Sequence, residues 1–212
     1  MKKTSILLIM ILGTAVPRAA AAETGLGLGL KVGPCISNVR WSLDDGSGET
    51  YRRLTVGFLA EYSLSPAFAI QPELDFVTMG YSWWDLNPTS PMLGKYEDTL
   101  QYLQIPVLFK ARLIRKGWIV PAVFAGPSLG ILLKANFKFY DMNSGLTYTG
   151  DIKDLYRDFD LGAAFGAGVN IQVRNLRLIF DVRYYLGLTD VYRSADISVK
   201  NAGLMITGGL GF

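Results

Sequence analysis

Residues 176–188 read LRLIFDVRYYLGL, and that stretch decides the fold. Leu176, Leu178, Phe180, Val182, Tyr184, Leu186 and Leu188 share one parity, while Arg177, Ile179, Asp181, Arg183, Tyr185 and Gly187 share the other. Successive side chains of a strand point to opposite faces, so this is a long strand with one apolar side and one charged side. Just upstream, Phe159, Leu161, Phe165, Val169 and Ile171 oppose Asp160, Gly162, Gly166, Gly168 and Asn170. The same division recurs over 25–32, 53–62, 68–76, 103–113 and 201–212. One further segment, Trp118 to Leu133, is apolar on both parities, and the pattern leaves its faces unassigned.

Eight such segments are longer than the usual soluble strand of about five or six residues, and they match the roughly 9–11 residues a tilted strand needs to cross a bilayer. The connections alternate in length. Ser63 to Ala67, Ile114 to Gly117, and Arg174 with Asn175 are tight; Asn38 to Arg52, Gly80 to Glu97, Lys134 to Asp158 and Thr189 to Val199 are long. The expectation is an all-β protein: an eight-stranded antiparallel up-and-down transmembrane β-barrel with four long external loops and short periplasmic turns. The longest loop, from Lys134, reads equally as the top of two extended strands.

In a soluble ligand-binding barrel the apolar row would face inward. Here the charged row also carries most strand glycines, which assigns it to the lumen, with Lys31, Arg53, Lys110, Arg112 and Arg183 against Glu61, Glu73, Asp75, Asp160 and Asp181. An eight-stranded barrel has an interior just wide enough for side chains, and buried charges persist there when paired, so equal numbers predict a salt-bridged, plugged lumen. The solvated faces of a soluble sandwich would leave the uniformly apolar opposite row unexplained. Aromatic residues gather near strand ends, among them Tyr51, Tyr62, Tyr81, Trp118, Tyr156, Tyr184, Tyr185 and Phe212, and some should form interfacial girdles.

Lys2 and Lys3, the apolar run Ile6 to Val16 and the alanines ending at Ala22 read as a signal peptide over 1–22, leaving a barrel domain over 23–212. That domain uses nearly all of the mature chain, so no further periplasmic domain is expected. Losing Lys2, Lys3 and Arg18 brings the 21 basic residues level with the 18 acidic ones, so no basic surface for nucleic acid is predicted. The sequence has no His and a single Cys. Neither a familiar His-assisted catalytic group nor a Cys-cluster metal site is expected, and we assign no catalytic residue, no metal and no cofactor. The chain reads as non-enzymatic.

Tyr102–Lys110 (YLQIPVLFK), Gly126–Gly130 (GPSLG), Asp160–Val169 (DLGAAFGAGV), Asp181–Leu188 (DVRYYLGL) and the closing Gly211-Phe212 resemble the PorT-like outer-membrane β-barrel family of Gram-negative bacteria. The resemblance implies residence in the outer-membrane lipid bilayer and insertion by the barrel assembly machinery through a C-terminal strand whose last aromatic is Phe212. It also implies, for some relatives, a part in a protein secretion machinery. Two functions stay open: a structural or surface-interaction role through the external loops, with a surface protein as partner, and a PorT-like component of secretion or transport, with a secretion-system partner. Enzymatic action on lipid or peptide is a third class, which no residue spacing singles out.

Overall fold

The structure, a computed structural model, describes residues 25–41, 51–87, 89–90, 93–114, 117–194 and 198–212. The expected signal peptide and parts of the long connections lie outside these residues. Among the described residues are nine strands: β1 Leu26–Trp41, β2 Tyr51–Ser63, β3 Phe68–Asp85, β4 Gly94–Arg112, β5 Ile119–Asp141, β6 Thr147–Asp151, β7 Phe159–Val173, β8 Leu176–Gly187 and β9 Val199–Gly211. One 3-10 turn, Lys153–Leu155, precedes β7.

All strands but β6 form a closed antiparallel ring, each pairing with its neighbours in the chain and β1 pairing with β9. Closure places Leu30 opposite Leu210, and Leu28 and Phe212 exchange N–H to carbonyl bonds of 3.0 and 2.9 Å. The ring is therefore the expected eight-stranded barrel. Its outer row is greasy and exposed: Leu30, Val32, Leu54, Val56, Phe76, Phe109, Phe165, Phe180, Val182 and Leu210 all face outward. Water would not tolerate such a surface on a monomer, whereas lipid does.

The strand ends joined by the three short connections lie at one end, residues 115–116 being outside the described residues. At the other, the strands run well past the apolar band, which corrects the expected loop boundaries. Residues 80–85 and 94–97 are strand, and β5 continues to Asp141 before folding back as β6. Above the membrane the outward positions carry Glu97, Lys134 and Lys138 in place of apolar residues, so the hydrophobic alternation vanishes although the ladder continues. A bulge also breaks the parity: Gln101 pairs with Lys134 but Tyr102 with Leu132, leaving Leu133 unmatched.

Faces can now be given to the segment from Trp118 to Leu133. Ala122, Phe124, Ser128 and Leu132 are buried inside, while Trp118, Ile119, Val123 and Leu133 face out. Both rows looked alike because β5 fills its part of the lumen with small or apolar side chains. Four of the expected end aromatics, Tyr51, Tyr81, Tyr156 and Tyr185, are buried and belong to no girdle; Tyr62, Trp118 and Phe212 do face outward near the turn end.

Candidate functional site

The lower lumen holds one continuous chain of charges. Glu61 on β2 receives Lys110 Nζ at 3.0 Å, Arg112 Nη2 at 2.7 Å and Arg177 Nη1 at 3.1 Å. Lys110 also donates to Gln71 Oε1 at 3.1 Å, and Gln71 Nε2 donates to Glu73 Oε1 at 2.6 Å. Glu73 accepts from Lys31 on β1 and, at 2.7 Å, from Arg183 on β8; Arg183 Nη1 reaches Asp75 Oδ2 at 3.0 Å. Strands β5 and β7 make room by carrying small residues inward. A Cβ on Gly168 would stand 2.0 Å from Asp181 Oδ1, and one on Gly57 would stand 1.9 Å from Asp75 Oδ1.

Three of the sequence-predicted residues stand apart from this chain. Asp181 is buried beside it, with no hydrogen bond to either carboxylate oxygen among the described residues. Asp160 is held by Asn201 Nδ2 at 2.8 Å and Thr189 Oγ1 at 3.2 Å, with no cation in contact among the described residues. Arg53 lies at the mouth, exposed, its guanidinium 3.9 Å over the Tyr51 ring and bonded to the Tyr51 hydroxyl. Gln71 and Arg177 were overlooked. Their parity with Glu73 and with Arg183 was the available signal.

Above the charges the lumen turns apolar. Cys35, Val77, Met79, Tyr185 and Met205 form one cluster, and Val39, Tyr81, Leu100, Tyr102, Leu132, Tyr156 and Val191 pack as a second nearer the mouth. Tyr156, from the connection before β7, is 1% exposed and reaches Asp98 Oδ2 at 2.7 Å, which Tyr81 also reaches at 2.9 Å. Burial raises the Asp98 carboxyl above its usual range, against the lowering effect of the two hydroxyl donors. The upper β3–β4 hairpin leans across this mouth. Its pairing with β2 ends at Thr55–Val77; beyond that point Ser37 Oγ of β1 accepts from Gly80 N–H at 3.0 Å, and the Tyr51 hydroxyl meets Thr99 Oγ1 at 2.6 Å.

Beyond the mouth, β3, β4, β5 and β6 continue as a four-stranded sheet. Trp83, Tyr96, Phe139 and Tyr148 are direct cross-strand neighbours on one face of it, with stacked rings at centroid spacings of 4.0, 4.4 and 6.1 Å. Such cross-strand aromatic pairs each stabilise a sheet by about 0.2–1 kcal/mol. The opposite face carries Trp84, the Lys95–Glu97 ion pair at 3.0 Å, and Tyr140. Strand β6 is the edge. Asp141 N–H donates to the Leu146 carbonyl and Ile152 N–H to the Ala135 carbonyl. The intervening hydrogen-bonded pairs are therefore Phe139–Tyr148 and Phe137–Gly150, and the backbone groups of Thr147, Thr149 and Asp151 point away from β5.

The family model described as "Outer membrane protein beta-barrel domain" matches residues 19–193. No curated protein matches the chain. Among solved structures it is similar to neisserial surface protein A, with 13% identity and a TM-score of 0.49, over 87% of this chain and 95% of that one. Ail of Yersinia pestis, solved with the heparin analogue sucrose octasulfate, is similar at 15% identity and a TM-score of 0.46, over 90% and 100% of the two chains. OprG of Pseudomonas aeruginosa is similar at 8% identity and a TM-score of 0.47, over 90% and 97%.

Proposed function

We propose a non-enzymatic surface-interaction role for this chain, which belongs to the outer membrane protein beta-barrel domain family and so resides in the outer membrane of a Gram-negative bacterium. The observation that carries the reading is the protruding sheet. A barrel whose only task was to fill the membrane would gain nothing from extending four strands past it. Binding groups are placed on rigid scaffolds because little ordering entropy then remains to be lost. Here the ring stack stiffens the sheet, and the β6 edge offers unpaired backbone groups to an extended segment of a partner protein, the usual chemistry of strand addition.

Thr149→Pro tests this directly. It removes an N–H that points outward while leaving the β5–β6 bonds in place, and proline blocks strand addition. The variant should keep the heat-dependent shift in gel mobility of a folded barrel and lose cell-surface binding by about tenfold or more, the scale of one or two lost hydrogen bonds. Should surface binding survive both this change and excision of residues 142–151, the reading fails.

A second reading is a PorT-like part in protein secretion. It is favoured by the stretches YLQIPVLFK and DVRYYLGL, which hold Lys110, Asp181 and Arg183 of the lumen. Under this reading the chain should co-purify with a secretion-machinery protein from detergent-solubilised membranes, and deleting it should retain secreted cargo in the periplasm.

A further inference from the structure

The connection before β7 and the one after β8 lie against each other at the upper rim of the barrel. Arg157 N–H donates to the Val191 carbonyl at 2.8 Å and Arg193 N–H to the Leu155 carbonyl at 2.9 Å, beside the edge-to-face pair Tyr156 and Tyr192. The two arginine side chains are pinned reciprocally. Arg157 Nε donates to the Tyr192 carbonyl at 3.2 Å, and Arg193 Nε to the Tyr156 carbonyl at 2.6 Å. With Nε fixed, the terminal nitrogens of each guanidinium are held in place. Arg193 Nη2 bonds Asp158 at 3.0 Å, while the terminal nitrogens of Arg157 make no hydrogen bond among the described residues.

Arg157, Asp158 and Arg193, with Phe159, Leu161 and Thr189, line a cleft. Phe159 and Leu161 belong to the lipid-facing row and are 60% and 52% exposed. The cleft thus has a cationic roof and an apolar wall, and it opens sideways at the level where hydrocarbon gives way to headgroups. Arg52 above Leu54 and Lys134 beside Leu133 occupy the same boundary, but among the described residues no backbone carbonyl from a facing loop pins them.

We propose that this cleft binds a phosphate of an outer-leaflet glycolipid. The guanidinium fork matches phosphate oxygens geometrically, and pre-pinned side chains lose little entropy on binding. Phe159 and Leu161 lie along the first carbons of the acyl chains, which a free phosphate or a soluble sugar phosphate does not possess. Asp158 offsets one of the two positive charges, so the site carries a net charge of one against the anion.

The test uses the full chain in detergent, mixed with a phosphorylated glycolipid and with the same lipid stripped of its phosphates. Native mass spectrometry then reads which lipid is retained. The wild type should prefer the phosphorylated form by about tenfold, the two arginines attracting the anion and Asp158 compensating in part. R157Q/R193Q should lose the preference, and R52Q/K134Q should keep it. If R157Q/R193Q fails to fold, Leu161→Ser, which leaves every loop hydrogen bond intact, should weaken glycolipid retention severalfold without changing the response to inorganic phosphate. Equal retention of both lipids by the wild type, or an unchanged preference in folded R157Q/R193Q, overturns the site. Displacement of the lipid by millimolar inorganic phosphate overturns the lipid as its occupant.

Discussion

At the scale of single residues, Glu73 is the most exposed to test, because it accepts from Gln71, Lys31 and Arg183 at once and is buried. Glu73→Ala would leave Lys31 and Arg183 with Asp75 as the one carboxylate in contact with both among the described residues, so one buried cation is in excess. The expected cost is about 3–5 kcal/mol, read as a lower urea midpoint for loss of the heat-shifted folded band. Adding Lys31→Met to Glu73→Ala should recover part of that loss, since one stranded cation goes with it. Arg53→Ala, outside the chain of ion pairs, should change the midpoint by less than about 0.5 kcal/mol. The two-residue turn between β7 and β8 gives the opposite sign. Arg174 has φ 52°, a conformation that costs an L-residue about 1–2 kcal/mol, so Arg174→Gly should stabilise the barrel by about 1 kcal/mol. Asp98 adds a pH dependence outside the membrane. Its carboxyl is raised in the folded state, so its contribution is most favourable below the ordinary aspartate range and declines as pH rises through that range to the raised value. The Tyr156 and Val191 amides should therefore exchange more slowly at pH 4 than at pH 7, relative to intrinsic rates, and Asp98→Asn should abolish the difference.

At the scale of elements, what could be read in advance was what lipid enforces. Wherever hydrocarbon touches the sheet, the outer row must be apolar, and β2, β7, β8 and β9 could be recognised from Leu54, Phe165, Phe180 and Leu210 and their neighbours. Where water touches it, the constraint lapses, and the upper halves of β3, β4 and β5 merged with loops in the sequence. The bulge at Leu133 then put Ala135 and Phe139 on the parity opposite to Leu132. Of the lumen residues, the charged row was visible, but partners such as Gln71 depend on which strands meet across the interior, and periodicity carries no such information. Prolines mark the weak points of the ladder. Pairing is interrupted beside Pro72 between β2 and β3, beside Pro106 between β3 and β4, and beside Pro127 between β4 and β5. Each lacks the N–H that a barrel strand must supply. Pro127→Val restores one; the Val107 and Leu108 amides should then exchange more slowly, and unchanged rates would show that the interruption has another cause.

At the scale of the whole molecule, a lumen with ion pairs below and tyrosines above should pass no steady current. A purified chain in a planar bilayer is expected to show none, and a stable conductance would contradict the packing of Arg183, Glu73 and Tyr156. The same interior bears on how the barrel is made. Glu73, on β3, is neutralised jointly by β1 and β8, which become neighbours of a common β9 only once the ring has shut. A partly zipped intermediate would have to carry an unquenched anion into oil. Insertion is thereby biased towards an all-or-none event, with the ionic bookkeeping settled at the moment the two ends of the polypeptide meet.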